Sequence, residues 1–205
     1  MKFGGTSVAD AERILAVAGI VEQHRAAKPV VVLSALAGVT DLLERAIECA
    51  RRNDREKLED TLDEMERRHR WALSGTVRDS GKRHDPSLEL DALFEDLRQL
   101  LRSVRILGEV TPRAADTLLA FGELLSTKIA TAAFVEAGLS ARWFDPREVM
   151  ITDRRHGGAS PDLEAVRVRC EELIRPAVVS GQIPVLGGFV GASPGEETTT
   201  LGRGG

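Results

Sequence analysis

Hydrophobic positions along the chain follow two alternating patterns, which are short β-branched runs and longer stretches at helical spacing. The runs "KPVVVLS" (28–34), "SARWF" (140–144) and "IPVLGGFV" (183–190) predict buried strands. Apolar residues recur at helical spacing between Ser7 and Ala26, where Ser7 or Asp10 could cap the helix. A strand, a helix and a second strand in this order predict a βαβ unit, whose parallel strands carry ligand-binding loops at their carboxyl ends.

The segment from about residue 39 to residue 137 is mostly helical in pattern. Its charged stretch 51–70 mixes both signs at three- and four-residue spacing, which predicts a solvated helix face. The Thr-Pro pair at 111–112 and the Ser-Pro pair at 160–161 predict the first residues of two further helices. We therefore expect an α/β fold, a three-layer α/β/α sandwich with a helical insertion after its second strand.

Composition narrows the functional classes. The 205 residues are 42% hydrophobic and 29% charged, as expected for one globular domain with a core. The net charge of −4 gives no basic surplus for nucleic-acid binding. No uninterrupted apolar run approaches membrane-spanning length, and no secretory signal is recognisable. We expect a cytoplasmic protein without a nucleic-acid or membrane partner.

Cysteine and histidine form no metal-binding or nucleophile pattern. Cys49 and Cys170 have no zinc-type spacing, so we expect both to be buried apolar residues. The four histidines lie among polar residues: His24, His69, His84 and His156. We expect the histidines to be exposed and predict no protein-bound metal.

The first candidate site is "KFGGTSV", where a strand would deliver a lysine, two glycines and two hydroxyl residues into the opening turn of a helix. Gly4 and Gly5 would let an anion approach the backbone N–H groups, and Lys2 would supply a mobile cation for phosphate oxygens. The stretch is not a GxxxxGK[ST] P-loop. A tight turn with an exposed lysine is the alternative.

The second candidate is the turn "LSALAGVT" after the next strand, where Ser34 and Thr40 carry hydroxyl groups that could face the same crevice. Capping of the following helix is the alternative.

The third candidate is Glu123, a carboxylate within a largely apolar helix, whose neighbours at helical spacing are small and leave room for a ligand or another backbone. A surface Glu123 paired with Lys128 is the alternative.

The last candidate is "GGFVGASPGEETTTLGRGG", whose glycines and alternating threonines predict a hairpin that leads into an anion-binding loop. The Pro-Gly pair at 194–195 marks its turn. Arg203, between glycines, could bind a carboxylate with two hydrogen bonds. A glycine-rich segment without a binding role is the alternative.

These segments, in this order, closely resemble aspartate kinases of the amino acid kinase superfamily over essentially the whole chain. The resemblance rests on "KFGGTSV", "LSALAGVT", "FGELLST", "WFD" at 143–145, and "GGFVG" followed by "TTTLGRGG". It implies transfer of the γ-phosphoryl group of ATP, with its Mg²⁺, to the side-chain carboxylate of L-aspartate. The products would be 4-phospho-L-aspartate and ADP, at the first step of lysine, threonine and methionine biosynthesis.

The resemblance also implies residue roles. Lys2 would act on the transferred phosphoryl group, and phosphate would contact Gly4, Gly5, Thr6 and Ser7. The substrate-binding positions would be Ser34, Thr40, Glu123, Phe189, Gly191 and Arg203. Glu123 suits the ammonium group of aspartate and Arg203 its α-carboxylate. No residue is predicted to ligate Mg²⁺.

Residues 1–205 lack the adenine-binding segment and the C-terminal ACT regulatory domains of that family, and almost nothing precedes the first glycine loop. We therefore expect the aspartate-binding, N-terminal part of a truncated kinase domain. A non-catalytic aspartate-binding or assembly module is the alternative. Because members of the family commonly self-associate, a homo-oligomer is a further expectation.

Overall fold

A four-stranded parallel sheet lies at the centre of the structure, a computed structural model that describes residues 1–77 and 85–202. Its strands, in chain order, are β1 (Lys2–Phe3), β2 (Val31–Leu33), β3 (Ala141–Trp143) and β4 (Ile183–Gly187). They are arranged in the order β1-β2-β4-β3, and every neighbouring pair is parallel. Their carboxyl ends therefore meet at one edge of the sheet.

Helix α1 (Ala11–Gln23) connects β1 to β2, which confirms the predicted βαβ unit. The Asp10 carboxylate accepts a hydrogen bond from the backbone N–H of Arg13 at 2.9 Å, so Asp10 is the cap and not Ser7. Apolar side chains of α1 are buried at the positions that the helical spacing predicts: Ile14, Val17, Ala18 and Val21.

In the described parts of the predicted insertion between β2 and β3, which exclude residues 78–84, the chain forms four long helices: α2 (Val39–Arg51), α3 (Arg55–Thr76), α4 (Pro86–Leu107) and α5 (Pro112–Glu136). The side chain of Thr111 accepts a hydrogen bond from the N–H of Ala114 at 3.2 Å, so the Thr-Pro start of α5 is confirmed. Helix α5 is long and apolar enough to cross a bilayer, but 72% of its most apolar window is buried inside the structure, as in a core helix.

Helices cover both faces of the sheet, which confirms the three layers. Val31 and Leu33 of β2 belong to one core with the insertion and α1. Val30 and Val32, with side chains on the opposite face, pack in a second core. The helical segments after β3 are α6 (Pro146–Val149), α7 (Leu163–Arg169), a π-helical turn (Cys170–Ile174) and α8 (Arg175–Val179). Residues of α6, the π-helical turn and α8 belong to this second core.

The predicted helix start at 160–161 is wrong by two residues. Asp162 caps α7, since its carboxylate accepts hydrogen bonds from the N–H groups of Glu164 and Ala165, both at 3.1 Å. Pro161 instead forms an isolated antiparallel bridge with Thr152. Asp162 therefore caps the helix in place of Ser160, because Pro161 pairs with Thr152 and the helix begins only after this bridge.

A separate hairpin follows the sheet, as predicted. Its strands β5 (Val190–Ala192) and β6 (Thr198–Thr200) are antiparallel, and Pro194 and Gly195 form the turn between them. The hairpin leads directly to Gly202. Arg203 lies outside the described residues, as does His84.

The prediction that the histidines are exposed is right for His24 and wrong for His69, which is fully buried in α3. It is also wrong for His156, whose side chain is only 17% exposed and pairs with Asp116. The Nδ1–H of His69 donates to the Met65 carbonyl at 2.7 Å, and the ring packs edge-on against Phe94. Its Nε2 has no hydrogen-bond partner within the part of the chain that the structure describes. Burial lowers the pKa of His69 to about 4.

Of the cysteines, Cys49 is buried as expected and Cys170 only partly.

Acid should therefore destabilise the fold through His69. Because the pKa of His69 is lowered from 6.5 in the unfolded chain to about 4 in the folded one, stability is full above pH 6.5 and falls as pH drops toward 4. At about 1.4 kcal/mol per pH unit, the loss amounts to about 3 kcal/mol. We expect His69→Leu to flatten this dependence in urea unfolding between pH 7 and pH 4.5. His24→Leu is the matched control, because His24 makes the same contact to a carbonyl four residues earlier but is exposed. Equal slopes for the two variants would contradict the prediction.

Candidate active site

A cleft of about 560 Å³ opens at the carboxyl ends of β1, β2 and β4. Its walls come from the turn after each of these strands, from α2 and α5, and from the end of β6. Six of the residues singled out in the sequence line it: Lys2, Gly4, Ser34, Thr40, Glu123 and Phe189. The fold thus brings together segments that are up to 200 positions apart in the chain, from Lys2 to Gly202.

Glu123 lies in the middle of α5 with only 4% of its surface exposed. Its Oε2 accepts a hydrogen bond from the backbone N–H of Phe189 at 2.8 Å. Burial raises the pKa of Glu123 to about 7, although the N–H groups of Phe189, Gly188 and Val190 and the charge of Lys2 each act to lower it. A carboxylate in this setting loses much of its hydration and gains from any cation that enters the cleft.

The alternative that Glu123 is a surface partner of Lys128 is wrong. The Nζ of Lys128 pairs with Oε2 of Glu89 at 2.6 Å and lies 3.7 Å from the centre of the Trp143 ring. The charge of Lys128 is therefore directed to another carboxylate and an aromatic face.

The small residues around Glu123 make room for another backbone, which was one of the two predicted uses. The hydroxyl of Ser126 donates to the Ser34 carbonyl at 2.7 Å. A side-chain carbon placed at Gly122 would lie 3.0 Å from the Cβ of Ala35. Helix α5 therefore packs closely on the turn that leaves β2, and Ser34 of this turn and Glu123 of the helix line the same cleft.

Gly187, the last residue of β4, lies so close to the Glu123 carboxylate that it leaves no space for a side chain. A methyl group at this position would collide with Oε2 of Glu123, and β4 is a central strand that cannot move aside. We expect Gly187→Ala to destabilise the protein by about 2 kcal/mol in urea unfolding. Gly19→Ala in α1 is the control, because open space surrounds Gly19 and an alanine there should stabilise the helix by about 0.5–1 kcal/mol. A neutral Gly187→Ala would show that Glu123 is held less tightly than the structure indicates.

Three residues of the predicted phosphate loop are not among the described lining residues of the cleft. Gly5, Thr6 and Ser7 lie in the 3₁₀ turn Gly5–Val8 that follows Gly4. A side-chain carbon at Gly5 would lie 3.0 Å from the Ala35 carbonyl oxygen, so this glycine lets the first turn approach the second. A phosphate role for these three residues stays a prediction.

Gly191 is also absent from the described lining residues. A side-chain carbon at this position would lie 2.5 Å from the Met150 carbonyl oxygen, so Gly191 allows β5 to approach that segment. Arg203 lies outside the described residues, and Gly202 immediately before it lines the cleft.

Sequence reasoning missed two groups of residues. Asp41 and Glu44, in the first turns of α2, line the cleft. Asp116 is buried on α5 seven residues before Glu123, and two carboxylates at this spacing on an apolar helix face were a usable signal. Among residues 1–77 and 85–202 no group of three or more His, Cys, Asp or Glu side chains could hold a metal ion.

Known proteins resemble this chain over its whole length. The model of the amino acid kinase family matches residues 1–205. Lysine-sensitive aspartokinase 3 of Escherichia coli is 33% identical over the whole chain, and chloroplastic aspartokinase 1 of Arabidopsis thaliana is 37% identical. The crystal structure of E. coli aspartokinase III in complex with aspartate and ADP superposes with a TM-score of 0.88 at 33% identity.

The chain spans only part of each of these relatives. It covers 43% of the E. coli enzyme, in sequence and in structure, and 36% of the Arabidopsis enzyme. All of the chain is matched in each case.

Proposed function

Because the chain belongs to the amino acid kinase family, we propose that it forms the aspartate-binding part of an aspartate kinase. The enzyme would transfer the γ-phosphoryl group of ATP to the side-chain carboxylate of L-aspartate, giving 4-phospho-L-aspartate and ADP. The observation that carries this proposal is the buried Glu123 carboxylate, held by the Phe189 N–H in a cleft that also contains Lys2. The structural relative that binds aspartate and ADP supports it.

Binding of aspartate requires groups for three charges. Glu123 would receive the ammonium group, and burial makes this ion pair stronger than one in water. Arg203, which follows the lining residue Gly202, would take the α-carboxylate with two parallel hydrogen bonds. The hydroxyl groups of Ser34 and Thr40 line the cleft and would donate to the remaining oxygens.

The chemical step would need no general base. The side-chain carboxylate of aspartate is the nucleophile and is already ionised near neutral pH. Catalysis then consists of aligning this oxygen with the γ-phosphorus and stabilising charge on the phosphoryl oxygens. Lys2 and the backbone of Gly4, both in the cleft, are the groups that would do so. Mg²⁺ would arrive with the ATP phosphates, to which it adds charge neutralisation.

A coupled assay of ADP release tests the proposal on the complete polypeptide that carries this sequence. We expect ADP release with ATP and L-aspartate, and none with D-aspartate or without an amino acid. The 205-residue chain is assayed beside it, together with calorimetric binding of aspartate. Binding without ADP release by either polypeptide would instead favour the non-catalytic module. Absence of both would refute the aspartate site.

Two further expectations stay predictions. A homo-oligomer is not tested by a single chain. A cytoplasmic location is also untested, and the Arabidopsis relative is a chloroplastic protein by name.

A further inference from the structure

Asp116 is the most completely buried carboxylate near the cleft, with 1% of its surface exposed. It accepts hydrogen bonds from three groups outside its own helix. The Gly157 N–H lies 3.1 Å from both carboxylate oxygens, the His156 Nδ1 lies 2.9 Å from Oδ2, and the Thr200 hydroxyl lies 2.6 Å from Oδ1. One side chain of α5 therefore joins the loop at 156–157 to the end of β6.

The joined segments form part of the cleft wall, whereas Asp116 is not among its described lining residues. Gly157 and Thr200 both line the cleft. The N–H of Ala159 donates to the Thr200 carbonyl at 2.8 Å, and a side-chain carbon at Gly202 would lie 3.3 Å from the Gly157 carbonyl oxygen. The loop and the β6 end thus pack as one wall, in which both glycines have positive φ angles of 77° and 79°.

Helix α5 carries both Asp116 and Glu123. Glu123 follows Asp116 by seven positions, which is two turns of α5 or about 10 Å along one face of the helix. Leu119, between them, lines the cleft as well. Helix α5 therefore holds the wall through Asp116 and, two turns later, carries the Glu123 carboxylate.

We propose that Asp116 is a positioning residue, which holds the Gly157 loop and the β6 end against α5 and thereby sets the affinity of the cleft for its amino-acid substrate. The inference rests on the proposed function for the identity of that substrate. The hydrogen bonds to the carboxylate are charge-assisted and buried, so the wall loses its fixed position when one oxygen is replaced. Asp116 itself touches no reacting atom.

Asp116→Asn tests the proposal in the complete polypeptide. The amide keeps one acceptor oxygen and loses the other, so we expect the backbone N–H of Gly157 to exchange with deuterium at least tenfold faster. We expect the KM for aspartate to rise about tenfold, while kcat and the KM for ATP change less than threefold. His156→Ala removes one donor and should raise the KM for aspartate about threefold. In the double variant the two effects should not multiply, since both act on the same carboxylate.

Thr199→Val is the matched control. The Thr199 hydroxyl is buried on the same strand and bonds to the Thr152 hydroxyl at 2.7 Å, but Thr199 does not line the described cleft. Its loss should leave Gly157 exchange and the KM for aspartate unchanged. A similar effect of Thr199→Val and Asp116→Asn would overturn the proposal, and so would unchanged Gly157 exchange in Asp116→Asn.

The outcomes remain distinct from those for the proposed function. If the wild type binds no aspartate, the aspartate site is refuted, and Gly157 exchange still decides whether Asp116 holds the wall. If Asp116→Asn does not fold, His156→Ala decides in its place, and equal Gly157 exchange in that variant and the wild type refutes the positioning role.

Discussion

Replacing Glu123 with Gln should raise the KM for aspartate about 100-fold, because removing one partner of a buried charge pair typically costs about 2–5 kcal/mol. The KM for ATP should change less than twofold. The amide can still accept the hydrogen bond from the Phe189 N–H, so the cleft should keep its shape. Steady-state kinetics with each substrate varied in turn measure the two effects.

The pH dependence of the same interaction has a definite sign. The pKa of Glu123 is raised from 4.5 to about 7 by burial, so the carboxylate becomes fully charged only above neutrality. The KM for aspartate should therefore fall as pH rises through about 7, and this step should be absent in Glu123→Gln. Glu89→Gln is a control, because Glu89 pairs with Lys128 and is not a described lining residue of the cleft.

The free protein should become more stable in Glu123→Gln at pH 8. A raised carboxyl pKa means that stability is full below the unfolded value of 4.5 and falls as pH rises through about 7. The shift lowers the free energy of unfolding by about 3 kcal/mol at pH 8. An uncharged amide should restore on the order of 1–3 kcal/mol of this free energy. A less stable variant would contradict the burial cost of this carboxylate. An equal rise of the KM for aspartate and of the KM for ATP would remove Glu123 from the substrate site.

The sequence predicted those parts of the site that depend on local pattern. The β1–α1–β2 unit, the insertion and the β5–β6 hairpin each follow from periodicity and turn residues, and the resemblance to aspartate kinases supplied the expected roles of Lys2 and Glu123. What pattern could not supply is pairing between distant segments. The seven-position spacing to Glu123 marks Asp116 as a second carboxylate on the same helix face, but only the fold brings its partners Gly157 and Thr200 to it.

The failed predictions have the same physical origin. His69 stands in one of the most charged stretches of the chain, yet the face of α3 that carries it packs against α4, so burial followed tertiary contact and not local composition. The cap at Asp162 prevailed over Ser160 because the preceding proline pairs with Thr152, which only the folded chain brings near.

Replacing Lys2 with Met should lower kcat by about 10²–10³, as removal of one fixed charge-stabilising donor does in other enzymes. The KM for aspartate should change much less, since the ammonium group is held by Glu123. Lys28→Met is the matched control, because Lys28 is exposed and precedes β2 at the opposite end of the sheet. Single-turnover rates measured with saturating substrates separate the chemical step from product release.

Lys2 also acts on Glu123, and this gives a second readout. The charge of Lys2 lowers the pKa of Glu123, so in Lys2→Met the pH at which the KM for aspartate falls should move upward. Lys2→Arg should restore that pH but only part of kcat, because a planar guanidinium does not reproduce the compact charge of an ammonium. A shifted pH step with wild-type kcat would leave Lys2 as an electrostatic neighbour of Glu123 and assign phosphoryl stabilisation to other groups.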